Sequence, residues 1–382
     1  GLVPLSSRYS ARIAIPWTPA AAMVEASGGG CGPAIAVDPP TEPPQQQQQQ
    51  QPAAASVWSV VGGLVAFSMA GVLVRVHLTR LFTYDGAPIY ALVWAQMAGC
   101  FVMGVATRTK DIVSRWSPAL HTGITTGLCG SVTTFSSWQL LVFQQFFNTG
   151  GSRHSHFRNF LGGASVLVST MECAVGALRL GQMVGDELCA VHGAYAHRAA
   201  APRVEAAGGR KWRPADVVLA ASGVAAIVAA SVVAGVAGGT RSVSIALLFG
   251  WVGTLARWRL ALLNARSGSW LRGKGPSQLT VGLPLGTFIA NVAGSAVLAV
   301  VYVLLTGAVV RPSAASCNVL AALADGFCGC LTTVSTFAVE LTEMPARKSA
   351  LYMALSVVAA QAFFLPIAGI YFKTAAVDYP TC

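Results

Sequence analysis

Nine apolar segments, each of about 20 residues or more, constrain the fold of this chain more than any other feature of its sequence. A helix of that length is what the hydrocarbon core of a bilayer requires. Charged residues make up 10% of the 382 residues, against about 25% in soluble domains, which is too few to cover a water-facing surface. The sequence therefore predicts an all-α polytopic membrane protein. The predicted spans are residues 57–79, 88–107, 119–146, 161–184, 215–238, 244–264, 283–308, 316–341 and 349–372.

The beginning of the chain differs in composition from everything that follows. Residues 1–55 are rich in Pro, Ala and Ser and contain an unbroken run of glutamines, Gln45 to Gln51. Such a segment has too little apolar surface to form a core, so we predict that it is disordered. Met23 is a plausible start of translation. At the other end, residues 374–382 are predicted to form a short tail.

Basic residues outnumber acidic ones, 25 to 14, which in a soluble protein would raise the question of nucleic acid. Their distribution gives another explanation. The loops after the second, fourth, sixth and eighth predicted spans hold thirteen Lys and Arg residues, whereas the alternate loops hold five. An excess of Lys and Arg marks the cytoplasmic side of a membrane. The amino terminus is therefore predicted to be cytoplasmic and, with nine spans, the carboxyl terminus outside. No nucleic-acid partner is needed to explain the charge.

Three short motifs occur twice in the chain, in the same order. The pairs are Gly71–Arg75 with Gly253–Arg257, Gly99–Cys100 with Gly294–Ser295, and Gly127–Trp138 with Gly326–Phe337. They lie in the first, second and third spans of each copy, at offsets of 182, 195 and 199 residues. Four spans therefore make one repeat, and the fifth span is left over.

The leftover span determines how the two repeats are oriented. Four spans return the chain to its starting side, so one further helix makes the second copy enter from the opposite side. The repeats, residues 56–190 and 241–373, are therefore predicted to be inverted about an axis in the membrane plane. Residues 191–240 supply a cytoplasmic loop and the linker helix. Runs of small hydroxyl residues predict that the third span of each repeat is broken in its middle.

The duplicated motifs resemble those of the Fluc/CrcB fluoride channel family, in the fused two-repeat form of the eukaryotic fluoride exporters. The resemblance is strongest at Gly326–Phe337, which is followed by Glu340, and at Gly286–Ser295. It implies a passive fluoride-selective channel that exports cytosolic fluoride, with the lipid bilayer as its surroundings. It also implies a monomer whose two repeats form a pseudo-dimer. For its location we expect the plasma membrane.

Fluoride is small and strongly hydrated, so a pore must replace its water with hydrogen-bond donors or with the positive edges of aromatic rings. The resemblance implies a pathway lined by an asparagine of the second span, hydroxyls of the fourth span and a box of phenylalanines. The alternative is that the asparagine only makes a helix-packing hydrogen bond and that the phenylalanines face lipid. The matching pathway residues are Asn291, Phe135, Phe337, Tyr352, Ser356, Ser335, Thr336 and Gln96.

The repeats have diverged at these positions. The first repeat has Gln96 where the second has Asn291. As implied by the homodimeric relatives, each pore takes one box residue from each repeat. One pore then receives Phe135 with Phe337, and the other receives the remaining pair, Val334 with Trp138. The resemblance therefore implies one conducting pore and one degenerate pore.

The resemblance also implies a structural sodium ion, held by main-chain carbonyls where the third spans are broken. The matching positions are Gly130, Thr133, Gly329 and Thr332. The alternative is a dry break closed by hydroxyl side chains. Arg75 and Arg257 match a family arginine beside an aqueous vestibule, where it would attract anions. The alternative for them is snorkelling toward the lipid headgroups.

Two other functions remain open at this point. One is a proton-coupled transporter of fluoride or another small anion, with Glu172, Asp325 or Glu340 as the coupling carboxyl. Inverted repeats are common in such transporters, so architecture does not separate the two. The other is a nonconducting relative, because Gln96 and the pair Val334 and Trp138 depart from the family pattern. The sequence offers no grouping of residues that indicates an enzyme.

Overall fold

A computed structural model describes residues 56–149, 155–198, 213–236, 240–270, 282–306 and 313–371. Within these ranges the chain is helical apart from turns and short connections, and it contains no strand. The predicted disordered segment 1–55 and the tail 374–382 lie outside the described residues.

The helices of the first half have the following bounds: α1 Val57–Leu81, α2 Leu92–Arg108, α3 Lys110–Trp116, α4 Pro118–Thr122, a π-helical segment Gly123–Cys129, α5 Gly130–Val132, α6 Phe135–Phe147 and α7 His156–Arg198. Those of the second half are α8 Pro214–Val236, α9 Arg241–Trp270, α10 Leu285–Leu305, α11 Ala314–Ala322, a π-helical segment Leu323–Cys328, α12 Gly329–Leu331, α13 Ser335–Glu343, α14 Ala346–Phe364 and a π-helical segment Leu365–Gly369.

Seven helical stretches among the described residues are long and apolar enough to cross a membrane. They make the chain a multi-pass membrane protein. Two of the nine predicted spans fall short of that length. Helix α2 has 17 residues, and residues 118–147 are divided among four shorter helical pieces. The number nine therefore stays a prediction.

The helical backbone is interrupted at the same motif position in each half. Helix α5 ends at Val132 and α6 begins at Phe135, with Thr133 and Thr134 in extended conformation between them. In the second half, α12 ends at Leu331 and α13 begins at Ser335, after an extended Thr332 and two further residues outside the helices, Thr333 and Val334. Extended residues inside a helical stretch leave backbone groups without helical partners, so other groups must satisfy them.

Small residues allow the closest helix contacts. A Cβ on Gly223 of α8 would lie 2.6 Å from the Cα of Gly62 in α1, so the two backbones touch. Close approach through glycine is typical of helix pairs in lipid. The beginning of α8 is also fixed, because Ser117 donates its hydroxyl to the Asp216 carboxylate at 2.7 Å. The linker helix thus packs against α1 of the first repeat, and it also contacts α9 of the second repeat.

The second half-helix of each interrupted stretch packs against the other half of the chain. Helix α6 contacts α10, and α13 contacts α2 and α7. A buried apolar cluster that includes Phe135, Trp138, Phe337 and Tyr352 fills the space between them. The two interruptions therefore lie side by side at the centre of the molecule.

Candidate functional site

Two buried amide side chains hold the two helix breaks. Gln96 donates from Nε2 to the Thr134 carbonyl at 2.7 Å and accepts from the Thr134 N–H at 3.1 Å. Asn291 does the same with Thr333, at 3.2 and 2.9 Å. An amide group matches the backbone's donor and acceptor, so each side chain replaces the helical hydrogen bonds that the break removes. The aligned residues of the two repeats thus make the same contact.

A threonine from each repeat caps the half-helix of the other. The Thr133 hydroxyl accepts from the N–H of Ser335 at 3.0 Å, at the start of α13. The Thr332 hydroxyl accepts from the N–H of Ser136 at 3.1 Å, at the start of α6. A side-chain oxygen that accepts from the first N–H groups is what a helix start needs. Here the cap comes from another part of the chain, and the exchange is reciprocal.

The two predicted vestibule arginines are buried, at 3% and 5% exposure, and neither snorkels. Arg75 donates to the carbonyls of Ser131, at 2.7 Å, and Asp325. In the same way Arg257 donates to the carbonyls of Cys330, at 2.9 Å, and Thr126, at 2.7 Å. Each guanidinium therefore bridges the two repeats, and the acceptors correspond at an offset of 199 residues.

The phenylalanines of the two repeats meet in the buried cluster. Phe135 and Phe337 have ring centroids 5.5 Å apart at 75°, an edge-to-face contact. Phe337 also contacts the ring of Tyr352, at 5.0 Å, and Phe135 contacts Trp138, at 5.4 Å. All four side chains are at most 1% exposed, so none of them faces lipid. Val334 lies in the same cluster.

A polar network at one end of this cluster centres on Glu340. Its carboxylate accepts from Thr287 Oγ1 at 2.5 Å, from the Tyr352 hydroxyl at 3.0 Å and from Asn264 Nδ2 at 3.3 Å. Asn264 also accepts from the N–H of Gly286, at 2.6 Å. Sequence reasoning missed Asn264 and Thr287. The signal that could have identified them is their position: Asn264 ends one predicted span, and Thr287 lies near the start of the next, within the Gly286–Ser295 motif.

Among the described residues of the first repeat, no carboxylate gathers such a network. At the offsets of the repeat, Asn264, Thr287 and Glu340 correspond to Phe82, Leu92 and Leu141. Phe82 and Leu141 instead line a cavity of about 710 Å³ together with the loop 83–91 and the start of α7. Three polar positions of the second repeat are thus occupied by apolar residues in the first.

The remaining predicted residues lie outside this polar network. Ser356 is buried and donates to the Tyr352 carbonyl at 2.8 Å, within its own helix. Thr336 is half-buried on α13. Among the other two candidate coupling carboxyls, Glu172 is exposed on α7 and Asp325 is exposed beside Arg75.

The glycines of the predicted sodium site lie directly against the two arginine side chains, which any added side chain would displace. A Cβ on Gly130 would lie 2.3 Å from the Arg257 guanidinium, and one on Gly329 would lie 2.4 Å from that of Arg75. In a continuous helix the N–H of Thr134 would bond to the Gly130 carbonyl, but it donates to Gln96. The same holds for Gly329, because the N–H of Thr333 donates to Asn291. The freed carbonyl oxygens are ligands of the kind that suits a hard cation such as sodium.

Comparison with known proteins gives matches over most of the chain. The family described as CrcB-like protein, Camphor Resistance (CrcB), matches at residues 60–177 and 243–370. The chain is 31% identical over 334 residues to Fluoride export protein 1 of Candida albicans, which covers 82% of this chain and 80% of that protein. It is 25% identical over 371 residues to Fluoride export protein 1 of Saccharomyces cerevisiae, covering 83% and 94%. Fluoride-specific ion channel FluC 1 of Staphylococcus aureus is 37% identical over 90 residues, 24% of this chain and 69% of its own. No solved structure matches.

Proposed function

The chain belongs to the CrcB-like protein family, and on that premise we propose that it is a fluoride-selective passive channel that exports cytosolic fluoride. The observation that carries this proposal is the similarity, over some four-fifths of the chain, to proteins named for fluoride export. The buried amides and hydroxyls supply hydrogen-bond donors, and the aromatic rings supply positive edges. These are the groups that such a pore needs to replace the water around fluoride.

The architecture that goes with this function has nine spans in two inverted four-helix repeats, each with a broken third span. The reciprocal contacts of Arg75 and Arg257, and of Thr133 and Thr332, support a two-fold relation between the repeats. The chain acts as a monomer, as a pseudo-dimer of its repeats. Its amino terminus is cytoplasmic, its carboxyl terminus lies outside, and its membrane is the plasma membrane.

One of the two pores conducts. Phe135 and Phe337 meet edge to face, an arrangement in which ring edges can line a path for an anion. The other pair consists of Val334, which has no ring, and Trp138, whose indole N–H donates to the Val166 carbonyl at 3.2 Å. The polar network around Glu340 belongs to the repeat that supplies Phe337. Both differences favour a conducting pore that contains Phe135 and Phe337, with Asn291, Tyr352 and Ser356 along it.

A sodium ion between the two breaks would be held by the carbonyls of Gly130, Thr133, Gly329 and Thr332. The loss of the helical hydrogen bonds to the two glycine carbonyls supports this site. When bound, the ion would supply a positive charge that joins the carbonyl oxygens of the two repeats. Beside the same two breaks, the repeats are also bridged by the arginine and threonine side chains described above.

The function is tested by measuring fluoride and chloride efflux from proteoliposomes that contain the purified chain. Fluoride efflux without chloride efflux is the expected result, and a chain that passes neither ion would overturn the proposal. The same vesicles distinguish the coupled transporter. An imposed pH gradient leaves channel flux unchanged but drives fluoride through a transporter that uses Glu340 or another carboxyl.

The choice of pore is tested with matched aromatic substitutions. Phe337→Ile and Phe135→Ile remove the meeting ring edges, so each should reduce fluoride efflux by about tenfold or more. Trp138→Ile removes the ring of the other pair from the same helix as Phe135, and fluoride efflux should stay within about twofold of the unsubstituted chain. The opposite pattern, with flux lost only in Trp138→Ile, would reverse the assignment.

A further inference from the structure

One buried hydrogen-bond donor in the core has no partner among the described residues. Gln139 lies on α6 and is 0% exposed, and its side-chain Nε2 makes no hydrogen bond within the described part of the chain. Its Oε1, in contrast, accepts from Gln361 Nε2 of α14 at 3.0 Å. Buried polar groups in folded proteins nearly always have a partner, so an orphaned amide nitrogen in the interior calls for an explanation.

The contacts of Gln361 fix which way the Gln139 amide is turned. Gln361 Nε2 also donates to the main-chain carbonyl of Gln139, at 2.9 Å, and a carbonyl oxygen can only accept. The atom of Gln361 that faces Gln139 is therefore the nitrogen. The atom of Gln139 that faces this nitrogen must then be the oxygen, because two amide nitrogens 3.0 Å apart would both be donors. The nitrogen of Gln139 is left on the side away from this contact.

Gln139 lies on the same face of α6 as Phe135, one helical turn further along. Four residues of helix span about 6 Å, so its backbone stands about 6 Å beyond that of the ring that meets Phe337. Helix α6 packs against α10 and α14, the helices that carry Asn291 and Tyr352. The orphaned donor is therefore among the helices that carry the proposed conducting pore.

The amide lies on the opposite side of the aromatic cluster from the Glu340 network. Helix α14 meets the Glu340 carboxylate at Tyr352 and reaches Gln361 nine residues later, about 13 Å along its axis. Glu340 and Gln139 thus belong to different ends of the same group of helices. The Glu340 network does not account for the donor of Gln139.

The corresponding position of the second repeat is occupied by alanine. At the offset of 199 residues Gln139 aligns with Ala338 of α13, which packs against α2 and α7 of the first repeat. The extra amide therefore occurs where α6 meets the helix of Asn291, and alanine takes its place where α13 meets the helix of Gln96. This asymmetry has the same sense as that of the proposed conducting and degenerate pores.

We propose that Gln139 is a fluoride-binding residue of the conducting pore and that its Nε2 donates to the ion beyond the phenylalanines, on the side away from Glu340. This inference rests on the proposed channel function and adds a residue to the pathway. Fluoride gives up its water only where other donors replace it. Gln361 holds the amide oxygen, which would repel an anion, and leaves the nitrogen for the ion.

Gln139→Met tests the donor, because methionine has the length of glutamine but no amide. The change removes a donor without a protein partner, and Gln361 keeps the main-chain carbonyl of residue 139 as an acceptor. In the absence of fluoride the variant should therefore be as stable as the unsubstituted chain. Its fluoride efflux from proteoliposomes should fall by about tenfold or more, because one hydrogen bond to the ion is lost.

Gln145→Met is the matched control on the same helix. The Gln145 side chain is exposed beside the cavity of the first repeat, so its replacement should leave fluoride efflux within about twofold of the unsubstituted chain. Gln361→Met removes the group that orients the amide but keeps the donor of Gln139. It should reduce fluoride efflux less than Gln139→Met does.

A second measurement reports binding rather than flux. The melting temperature of the purified protein is compared in NaF and NaCl at equal Na⁺ concentration, since an ion that binds the folded state raises it. The rise in fluoride should be smaller in Gln139→Met than in the unsubstituted chain and in Gln145→Met.

The inference is overturned if the unsubstituted chain passes fluoride and Gln139→Met passes it as well as Gln145→Met does, as expected if the amide binds only water. Failure of Gln139→Met to fold would also overturn it, because the amide would then have a structural partner. Absence of fluoride efflux from the unsubstituted chain would instead overturn the proposed function, and this inference with it.

Discussion

Asn291 and Gln96 have the same function in the structure although their side chains differ in length. Each amide makes two hydrogen bonds to the backbone of one threonine in the break, Thr333 or Thr134. The sequence alone predicted Asn291 as a pathway residue and left a packing role as the alternative. The structure shows that the amide holds the backbone of the break, which also fixes its orientation.

Replacing Asn291 by Asp tests whether the amide is required. A carboxylate would face the Thr333 carbonyl oxygen without a hydrogen to donate, and it would place a negative charge beside an anion path. An uncompensated buried charge destabilises the folded protein by about 3–5 kcal/mol. Because the new negative charge would also repel fluoride in the path, fluoride efflux from proteoliposomes should fall by about 100-fold or more.

Gln96→Glu is the matched control, because it makes the same chemical change in the first repeat. We expect it to lower the stability of the protein while leaving more fluoride efflux than Asn291→Asp does. Equal loss of efflux in both variants, at equal thermal stability, would contradict the assignment of Asn291 to a single conducting pore.

At the scale of elements, each interrupted helix is completed by the other repeat. The break frees N–H groups at the starts of α6 and α13, and a threonine hydroxyl from across the interface accepts from each of them. A helix start without such a partner would be left with unsatisfied donors in a buried site. Helix α13 has no side-chain cap from its own N-cap residue, whereas α6 also has the Thr134 hydroxyl, which accepts from the N–H of Ser137. The start of α13 therefore depends on the other repeat more than the start of α6 does.

Thr133→Val tests this exchange of caps. Valine has nearly the shape of threonine but no hydroxyl, so the N–H groups of Val334 and Ser335 would lose their acceptor. Loss of a cap costs about 1 kcal/mol, and a buried unsatisfied donor costs about 1–3 kcal/mol. The melting temperature of the purified protein should therefore fall by several degrees.

Thr125→Val is the control, because the Thr125 hydroxyl donates only to the His121 carbonyl in its own helical turn. It should change the melting temperature much less than Thr133→Val does. Similar melting temperatures for the two variants would count against the cap from the other repeat.

The packing of the linker helix gives a second prediction at this scale. Gly223→Ala would place a methyl group 2.6 Å from the Gly62 backbone and force α8 away from α1. Overpacking of this kind costs about 1–3 kcal/mol, which should lower the thermal stability of the protein. Gly235→Ala, on the same helix but with no neighbouring atom within 4 Å, should leave stability unchanged or slightly higher. If both variants melt at the same temperature, α8 is only a tether.

At the scale of the whole molecule, the contacts between the repeats are made in reciprocal pairs. Arg75 and Arg257 bridge corresponding carbonyls, and Thr133 and Thr332 cap corresponding helices. Reciprocity of this kind is what a two-fold relation produces. The charge and polarity of the two halves do not follow it, since Asp325 and Glu340 have no acidic counterparts.

Sodium binding between the repeats is tested by thermal unfolding of the purified protein in Na⁺ and in a large organic cation at equal ionic strength. A ligand that binds only the folded state stabilises it by about 2.7 kcal/mol at 100 times its dissociation constant. The melting temperature should therefore rise with Na⁺ concentration. A melting temperature that is independent of Na⁺ would favour a dry break closed by the threonine and serine hydroxyls.

Much of this arrangement could be predicted from the sequence, because the relevant signals are local. Apolar length predicted a membrane protein, and the duplicated motifs predicted the family, which the matches confirm. The polar network of Asn264, Thr287 and Glu340 was not predicted as a unit. Its members come from three different helices, and no spacing along the chain brings them together.

The sequence by itself determined that this chain lies in a membrane, that it consists of two related halves and which residues distinguish them. These properties follow from hydropathy and from repetition, which are read along the chain. Only the tertiary structure decided what the buried polar groups do: Asn291 holds a backbone, Thr133 caps a helix of the other half, and Arg75 bridges both halves. The reason is physical, since a polar group buried away from water must find a partner, and its partner is fixed by the packing of distant helices.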